Sequence, residues 1–456
     1  MIRQGAWVTT SWLMLGWLLG LSMLTHFMWL GIPREVIFDE VHFGKFITAY
    51  CCTHERFFDI HPPHAKLLIA GTAYLTGFRG GFSFDHIGQA YGAVSPLGLR
   101  LLPALAGIAL PLVVFVLLRQ LGVRPAGAFM GGLVMTLDNA LTVQTRVISL
   151  DGLLLLAITG SLCAYLQAER STGRARWRWF ALAGALAGLS VGVKFTGLSA
   201  PALLAVLLVR RWLGSGSVAQ LLGWLTAATV VVGMAVLVYA AGWAVHFGLL
   251  YEPGSGDAWR VPQWEDPLAV SFVRETIEWH KMMLDANYGL TAGHPDASAW
   301  WEWPLMRSSV FYWQYGGTDA RAGSIYFLGN PLVWWGSSAL LAALLVSETM
   351  TRWRYWRAWW LPLLGYAISF APLIRVPRAL FLYHYLSPLL FAILAVVVWL
   401  DARGFFRPGK LGDQRSGYFM AIGALAAFFV VFSPLTYGFL LPPAWYAKLF
   451  WLPGWQ

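Results

Sequence analysis

Charge is scarce in this chain: Asp, Glu, Lys and Arg make up only 12% of its 456 residues. Soluble globular domains carry roughly 25%, so an ordinary soluble fold, which must face water on every side, is excluded. Cysteine occurs at three positions, Cys51, Cys52 and Cys163, too few for a disulfide framework. No fixed-period repeat suggests a solenoid. No basic low-complexity tract turns the net charge of +10 into a nucleic-acid footprint. What fills the chain is apolar, 58% hydrophobic with 26 Trp, the composition of a polytopic membrane protein held by helix packing.

Stretches approaching the roughly 20 residues that cross a bilayer lie at 10–31, 97–118, 126–142, 150–168, 179–193, 197–209, 218–241, 326–347, 358–374, 380–400 and 417–438. They predict an all-α fold of about eleven crossings. With Met1 cytoplasmic, the inward segments 1–10, 119–125, 169–178, 210–217, 350–357 and 401–416 hold 16 of the 32 Lys and Arg residues and three acids, Glu169, Asp401 and Asp413. That asymmetry marks inward-facing loops and puts the tail 442–456 outside. The first run starts basic, but its length and the lack of a small-residue cleavage site before Gly31-Ile32-Pro33 predict a retained helix, not a signal peptide.

Two large outer segments, 32–96 and 242–325, are too aromatic and too well punctuated to be disordered linkers. Ala299-Trp300-Trp301-Glu302-Trp303-Pro304-Leu305 predicts helices lying in the interface, where indoles favour the headgroup level. The first segment carries Phe38-Asp39-Glu40-Val41-His42-Phe43-Gly44 and then Phe57-Phe58-Asp59-Ile60-His61-Pro62-Pro63-His64. Adjacent carboxylates at a membrane surface are costly to desolvate and usually have a task; the plainer alternative is that Asp39-Glu40 caps a helix. Pro62 and Pro63 fix φ near −65°, so they either hold the His61 and His64 imidazoles in place or simply make a turn. Asp39, Glu40, His42, His61 and His64 offer oxygen and nitrogen ligands, but their spacing matches no zinc pattern. No metal is assigned, and a divalent cation stays open as a cofactor. Cys51 and Cys52, as neighbours, bridge only with strain, so free thiols or a buried pair are expected over a working disulfide.

The run Asp39-Glu40-Val41-His42-Phe43-Gly44 with Phe57-Phe58-Asp59-Ile60-His61-Pro62-Pro63 resembles the first lumenal loop of the protein O-mannosyltransferases, polytopic enzymes with the type C glycosyltransferase fold. Further patches follow in that family's order: Asp138-Asn139 to Gln144-Thr145-Arg146 and Leu150-Asp151, then Val193-Lys194-Phe195-Thr196-Gly197-Leu198, then His246-Phe247 with Gly254-Ser255-Gly256-Asp257. His294-Pro295 with Trp301-Glu302-Trp303-Pro304-Leu305, Leu328-Gly329-Asn330-Pro331 with Trp334-Trp335, and Arg378-Ala379-Leu380-Phe381-Leu382-Tyr383-His384-Tyr385 complete the set. Two departures stand out. Between Asp257 and His294 there is no room for the β-trefoil insert of eukaryotic members, so the chain looks like the prokaryotic form, and Phe195 stands where the family has Trp.

The resemblance implies transfer of mannose, with inversion, from a polyprenyl-phosphate-linked donor to Ser or Thr hydroxyls of an acceptor protein. A lipid phosphate is already a good leaving group, so one carboxylate suffices as base; Asp39 is the candidate, with Glu40 as the alternative base or as a group that orients sugar or acceptor. The departing phosphate needs cations, for which Arg100, Arg146, Lys194 and Arg378 are candidates, the bland alternative being cations snorkelling to the headgroups. Asp151 either orients Arg146, contacts sugar hydroxyls or forms a structural pair. Tyr383 and His384 are candidate donor contacts or interface anchors. His42, Asp59, His61 and His64 line the acceptor groove or brace the loop.

Residues 1–217 are expected to form the catalytic transmembrane module, with outer segment 32–96, and residues 218–456 the C-terminal module, whose outer segment 242–325 shapes the acceptor site. The site should face the exterior of a plasma or inner membrane. A lipid-directed transferase of the same fold, for example one adding aminoarabinose to lipid A, would share the Asp-Glu patch but not the Asp138–Arg146 and Arg378–Tyr385 matches. A transporter would place its ionisable residues within the crossings, whereas the acids here cluster outside them. A non-catalytic subunit is disfavoured by the intact Asp39-Glu40.

Overall fold

In lipid every backbone N–H and C=O must be satisfied within the chain, which helices alone do segment by segment. The computed structural model describes residues 2–259, 268–289, 293–317 and 321–456. In chain order its helices are α1 (Ile2–Phe27), α2 (Glu40–Thr48), α3 (His64–Leu75), α4 (Pro96–Gln120), α5 (Pro125–Thr136), α6 (Asn139–Gln144), α7 (Asp151–Arg170), α8 (Gly173–Val193), α9 (Ser199–Leu213), α10 (Val218–Leu249) and α11 (Leu268–Gly289). A short hairpin, β1 (Val310–Gln314) and β2 (Ser324–Phe327), precedes α12 (Pro331–Met350), α13 (Trp356–Phe370), α14 (Leu386–Ala402), α15 (Pro408–Tyr437) and α16 (Pro443–Ala447).

All eleven apolar runs fold as helices, namely α1, α4, α5, α7 to α10 and α12 to α15. Among the described residues seven spans are long and apolar enough to cross a membrane: α4, α7, α10, α12, the Ser416–Tyr437 part of α15, and α9 and α14 each with the turn leading into it, Phe195–Leu213 and Leu382–Ala402. Of the others, α5 has 12 residues and α8 opens on the basic turn Gly173-Arg174-Ala175-Arg176-Trp177-Arg178. The outer segments contribute α2, α3, α11, the hairpin and a 3-10 turn at Trp300–Leu305.

Small residues set the closest helix approach. A Cβ on Gly184 or Gly188 of α8 would come within 2.2 Å of the Val231 or Ala235 carbonyl oxygen of α10, so glycine alone permits this contact. The two halves meet at Asp138. Its carboxylate caps α6 by accepting the Leu141 N–H (2.8 Å), then accepts the Asn330 N–H (3.0 Å) and the Trp334 indole N–H (2.9 Å). Asn330 returns its side-chain amide to the carbonyls of Leu137 (2.9 Å) and Leu425 (3.0 Å), and Asn139 ties to Phe429 and Thr436 of α15. These motif residues are therefore clamps. So is Asp257, which takes the Arg56 guanidinium at 2.5 Å and latches the two outer segments together.

The expectation for Cys51 and Cys52 is corrected: they form a disulfide. The segment Ala49–Thr53 winds as a single wide π turn, and in it the neighbouring sulfurs meet.

Candidate active site

Asp39 and Glu40 straddle the start of α2, and the turn of the helix sends them to different surroundings. Glu40 points inward and is fully buried. Its carboxylate accepts the Ile37 N–H (3.0 Å), the Ile148 N–H (3.1 Å), the Tyr91 hydroxyl (3.0 Å) and two Arg100 N–H groups (2.7 and 2.9 Å). Arg100 completes its set of five donors on the carbonyls of Leu30, Pro33 and Glu35. Two expectations are corrected here. Glu40 has no lone pair left for a substrate and Arg100 no N–H left for a phosphate; they brace the loop.

Asp39 sits at the N-cap position of α2, yet its side chain makes no capping hydrogen bond. The helix-cap alternative therefore does not explain its carboxylate. It is half-buried, and burial pushes its pKa up to about 7; Asp151 and Asp59 add to the rise, while the Lys194 ammonium opposes it. The residue before it, Phe38, has φ 45°, a left-handed conformation that costs a bulky residue energy. What holds it is the hairpin: the Phe38 N–H donates to the Tyr312 carbonyl (3.0 Å), and the two rings stack at 4.1 Å.

Around Asp39 runs a polar chain. Lys194 Nζ donates to both oxygens of Asp151 (2.7 and 2.9 Å), Gln144 donates to the same carboxylate (2.6 Å), and the Tyr312 hydroxyl donates to Gln144 Oε1. Asp151 thus orients Lys194 and not Arg146, as one alternative had it. Tyr312 reaches inward because it is the extra residue of a β-bulge: Phe311 pairs with Tyr326 and Trp313 with Ile325. Burial, then the neighbouring Tyr383 and the carboxylates of Asp39 and Asp151, hold its phenol well above the ordinary value, so it stays a donor. Lys194 lies 5.5 Å from the centre of the Tyr383 ring, which stacks on His384 at 4.7 Å. Asp59 pairs with Lys66, whose ammonium also donates to the His61 carbonyl (2.8 Å). The His61 imidazole is held well below its usual pKa by burial and then by Lys194, Lys66 and Arg378, and is neutral. Arg378 is fixed by Asn287 Oδ1 at 2.9 Å.

The structure thus gathers Asp39, Asp59, His61, Asp151, Lys194, Arg378, Tyr383 and His384. Three other candidates have different surroundings. Arg146 gives two of its five N–H groups to the His26 and Met28 carbonyls and lies 4.3 Å over the Tyr437 ring, bracing α1. His64 is a wedge between α8 and α10: its Nε2 donates to the Val238 carbonyl (2.9 Å), and Cβ atoms on Gly192 or Gly242 would meet its ring at 2.2 Å. His42 is exposed on α2. Sequence reasoning missed Gln144, Tyr312 and Lys66 as site groups. Lys66 did leave a signal, as the one charge of the otherwise apolar stretch Ala65-Lys66-Leu67-Leu68-Ile69-Ala70. Among the described residues no three His, Cys, Asp or Glu side chains are grouped to hold a metal ion.

A helical membrane bundle with its acid-and-cation site against the first outer loop defines the type C glycosyltransferase fold. Solved structures agree. The chain superposes with TM-score 0.88 on a chain of the S. cerevisiae protein O-mannosyltransferase Pmt1-Pmt2 complex bound to the sugar donor, at 19% identity over 98% of this chain and 92% of that one. It also resembles ArnT from Cupriavidus metallidurans bound to undecaprenyl phosphate (TM-score 0.55, 16% identity, 91% and 70% covered). The family model of dolichyl-phosphate-mannose-protein mannosyltransferases matches residues 17–251, and that of the C-terminal four-transmembrane region of protein O-mannosyltransferase matches 272–455. The chain belongs to the protein O-mannosyltransferase family. Among curated relatives, protein O-mannosyltransferase 1 of Drosophila melanogaster is 34% identical over 247 residues, 52% of this chain and 28% of that protein. Dolichyl-phosphate-mannose–protein mannosyltransferase 4 of Candida albicans is 29% identical over 294 residues, 61% and 38%. The matched stretch thus spans about a quarter to two fifths of these relatives' length.

Proposed function

We propose that the protein transfers mannose from a polyprenyl-phosphate-linked donor to Ser or Thr hydroxyls of acceptor proteins, at the outer face of the membrane. The observation that carries this is Asp39: a half-buried carboxylate without a side-chain hydrogen bond among the described residues, poised near pH 7 beside the Lys194 ammonium. A base is most effective when its pKa lies near the working pH. Asp39 takes the hydroxyl proton as the alcohol oxygen bonds to the anomeric carbon; the bond from that carbon to the phosphate oxygen breaks, its electrons leave with the lipid phosphate, and the configuration inverts. Lys194, with two of its three donors on Asp151, keeps one for a phosphate oxygen. Arg378 adds positive charge to the site at longer range. Glu40 and Arg100 hold the loop from behind.

The polyprenyl chain would lie in an apolar groove of about 490 Å³ between α8, α9 and α10, lined by Gly188, Val191, Pro201, Leu204, Val231 and Tyr239, three residues short of Lys194. The site end of the bundle faces outward, because the ion pairs Arg124–Asp401 and Arg211–Glu169 and the Arg-rich segments cluster at the other end. We assign donor chemistry chiefly to residues 1–217, with Tyr312, Arg378, Tyr383 and His384 added by residues 218–456. A lipid-directed reaction is disfavoured by the family matches over both halves. The test is transfer of mannose from polyprenyl-phosphate-mannose to a Thr-containing peptide by the purified full chain in detergent. Transfer to lipid A and not to the peptide would overturn the assignment.

A further inference from the structure

On the outer face, between the Trp300–Leu305 turn and residues 373–380, lies an open cleft of about 450 Å³, within the roughly 300–1,000 Å³ of ligand sites. Its walls carry a carboxylate, Glu302, and a guanidinium, Arg378, with His294, Ser298 and Trp300 between them. The opposite charges do not bond each other. Glu302 Oε2 accepts the Ala299 N–H at 3.2 Å, and Oε1 meets no donor among the described residues. Arg378 spends Nε on Asn287 (2.9 Å) and Nη1 on the Ala379 carbonyl (3.3 Å), and Nη2 meets no acceptor among the described residues. The cleft joins the active site through aromatic rings: His294 packs edge-on to Phe381 (5.0 Å), and Phe381 stacks on Tyr383 (5.4 Å), the ring beside Lys194.

A spare acceptor and a spare donor in one cleft, flanked by an indole, match what an extended polypeptide presents: an N–H and a C=O in every peptide group, with apolar side chains alongside. The active-site end of the ring ladder is occupied by Asp39 and Lys194; the far end is where the chain on either side of a reacting hydroxyl would run. Recognition of main chain suits a transferase whose acceptor hydroxyls lie in differing sequences. We propose that this cleft binds the main chain of the acceptor polypeptide, with Glu302 accepting a peptide N–H and Arg378 donating to a peptide carbonyl. This rests on the transfer reaction proposed above.

The test pairs one substitution with peptide chemistry, using the full chain in detergent. Glu302→Gln keeps an oxygen for the Ala299 N–H but turns the spare acceptor into an amide donor, so the turn is preserved. The peptide carries one Thr, and each flanking amide is replaced in turn by an ester, which removes a single N–H. Wild type should lose roughly tenfold or more in kcat/KM at one ester position, the size of a hydrogen bond to a charged group. Glu302→Gln should show that loss with the parent peptide, through KM for peptide and not for donor, and no further loss with the ester. Equal ester effects in both proteins, or a change in donor KM alone, would overturn the proposal, the latter pointing to a sugar contact. Fluorescence anisotropy with a labelled peptide whose Thr is replaced by alanine reads binding without reaction. Glu302-dependent binding without any transfer would refute the reaction and keep the site; transfer without Glu302 dependence would do the reverse, and neither binding nor transfer refutes both.

Discussion

Replacing Asp39 by asparagine separates what its carboxylate does for chemistry from what it costs the fold. Burial raises its pKa from 3.8 to about 7, so at pH 8 the folded protein holds an ionised group that the unfolded chain solvates better. A shift of about three units at 1.36 kcal/mol each sets an upper bound of roughly 4 kcal/mol on that cost. The penalty is absent below pH 4, grows between about pH 4 and 7, and is constant above, because a raised carboxylate pKa destabilises wherever the group ionises in both states. The neutral amide of the variant carries no such penalty. Asp39→Asn should therefore melt higher than wild type at pH 8 and equally at pH 4, while losing on the order of 10²–10⁴ in transfer rate, the share of a general base. Wild-type transfer should rise with pH through about 7 as the base deprotonates, and the residual activity of the variant should not. Initial rates of peptide mannosylation from pH 5 to 9, with melting curves in the same detergent, decide the matter. Activity within tenfold of wild type at pH 8, or no gain in Tm there, would refute the role assigned to this carboxylate.

Glu40→Gln removes the charge facing the buried Arg100; breaking such a pair costs about 3–5 kcal/mol, so Tm should fall sharply while folded molecules keep kcat within tenfold. A loss of kcat at unchanged Tm would return Glu40 to the chemistry. Lys194→Met leaves the buried Asp151 without its cation, and should both destabilise the protein and raise the KM for donor, whereas Lys194→Arg should restore most of the stability; a KM for donor equal to wild type in Lys194→Met would exclude the phosphate contact. Asp138→Ala strands the Leu141 and Asn330 N–H groups and the Trp334 indole, each worth about 1–3 kcal/mol when left unsatisfied. Denaturant unfolding should show a loss above roughly 3 kcal/mol, and an unchanged midpoint would deny the clamp.

The helices were legible because lipid leaves a hydrophobic run little alternative, and the eleven runs all fold as helices. Their lengths were less legible: α5 stops at Thr136 because Asp138 takes up its cap position for α6, splitting a run that reads as continuous apolar sequence to 142. The hairpin was not read at all. Its strands are five and four residues long, within the noise of an aromatic loop, and the bulge that aims Tyr312 at Gln144 depends on a partner strand met only in three dimensions.

Neighbours in sequence carried the least information where it mattered most. Asp39 and Glu40 look interchangeable as adjacent acids, and both could cap a helix. One turn-step of α2 separates their directions, and Arg100, 60 residues away, claims the second of them. Nothing local to the Asp-Glu pair announces that arginine, so roles could not be divided until the fold brought Tyr91, Arg100 and the Ile148 N–H onto one carboxylate. The same holds for the motif patches. Asp138, Asn330, Trp334, His246 and Asp257 identify the family as strongly as Asp39 does, yet they tie helices and loops together: His246 meets the Tyr50 hydroxyl at 2.6 Å, and Asp257 the Arg56 guanidinium. A buried polar group is retained for whichever partner satisfies it. Saturation therefore sorts motif residues that sequence cannot: Glu40, Arg100 and Asp138 have their bonding capacity filled by protein, while among the described residues Asp39 and the third donor of Lys194 have theirs unfilled, as the proposed roles require.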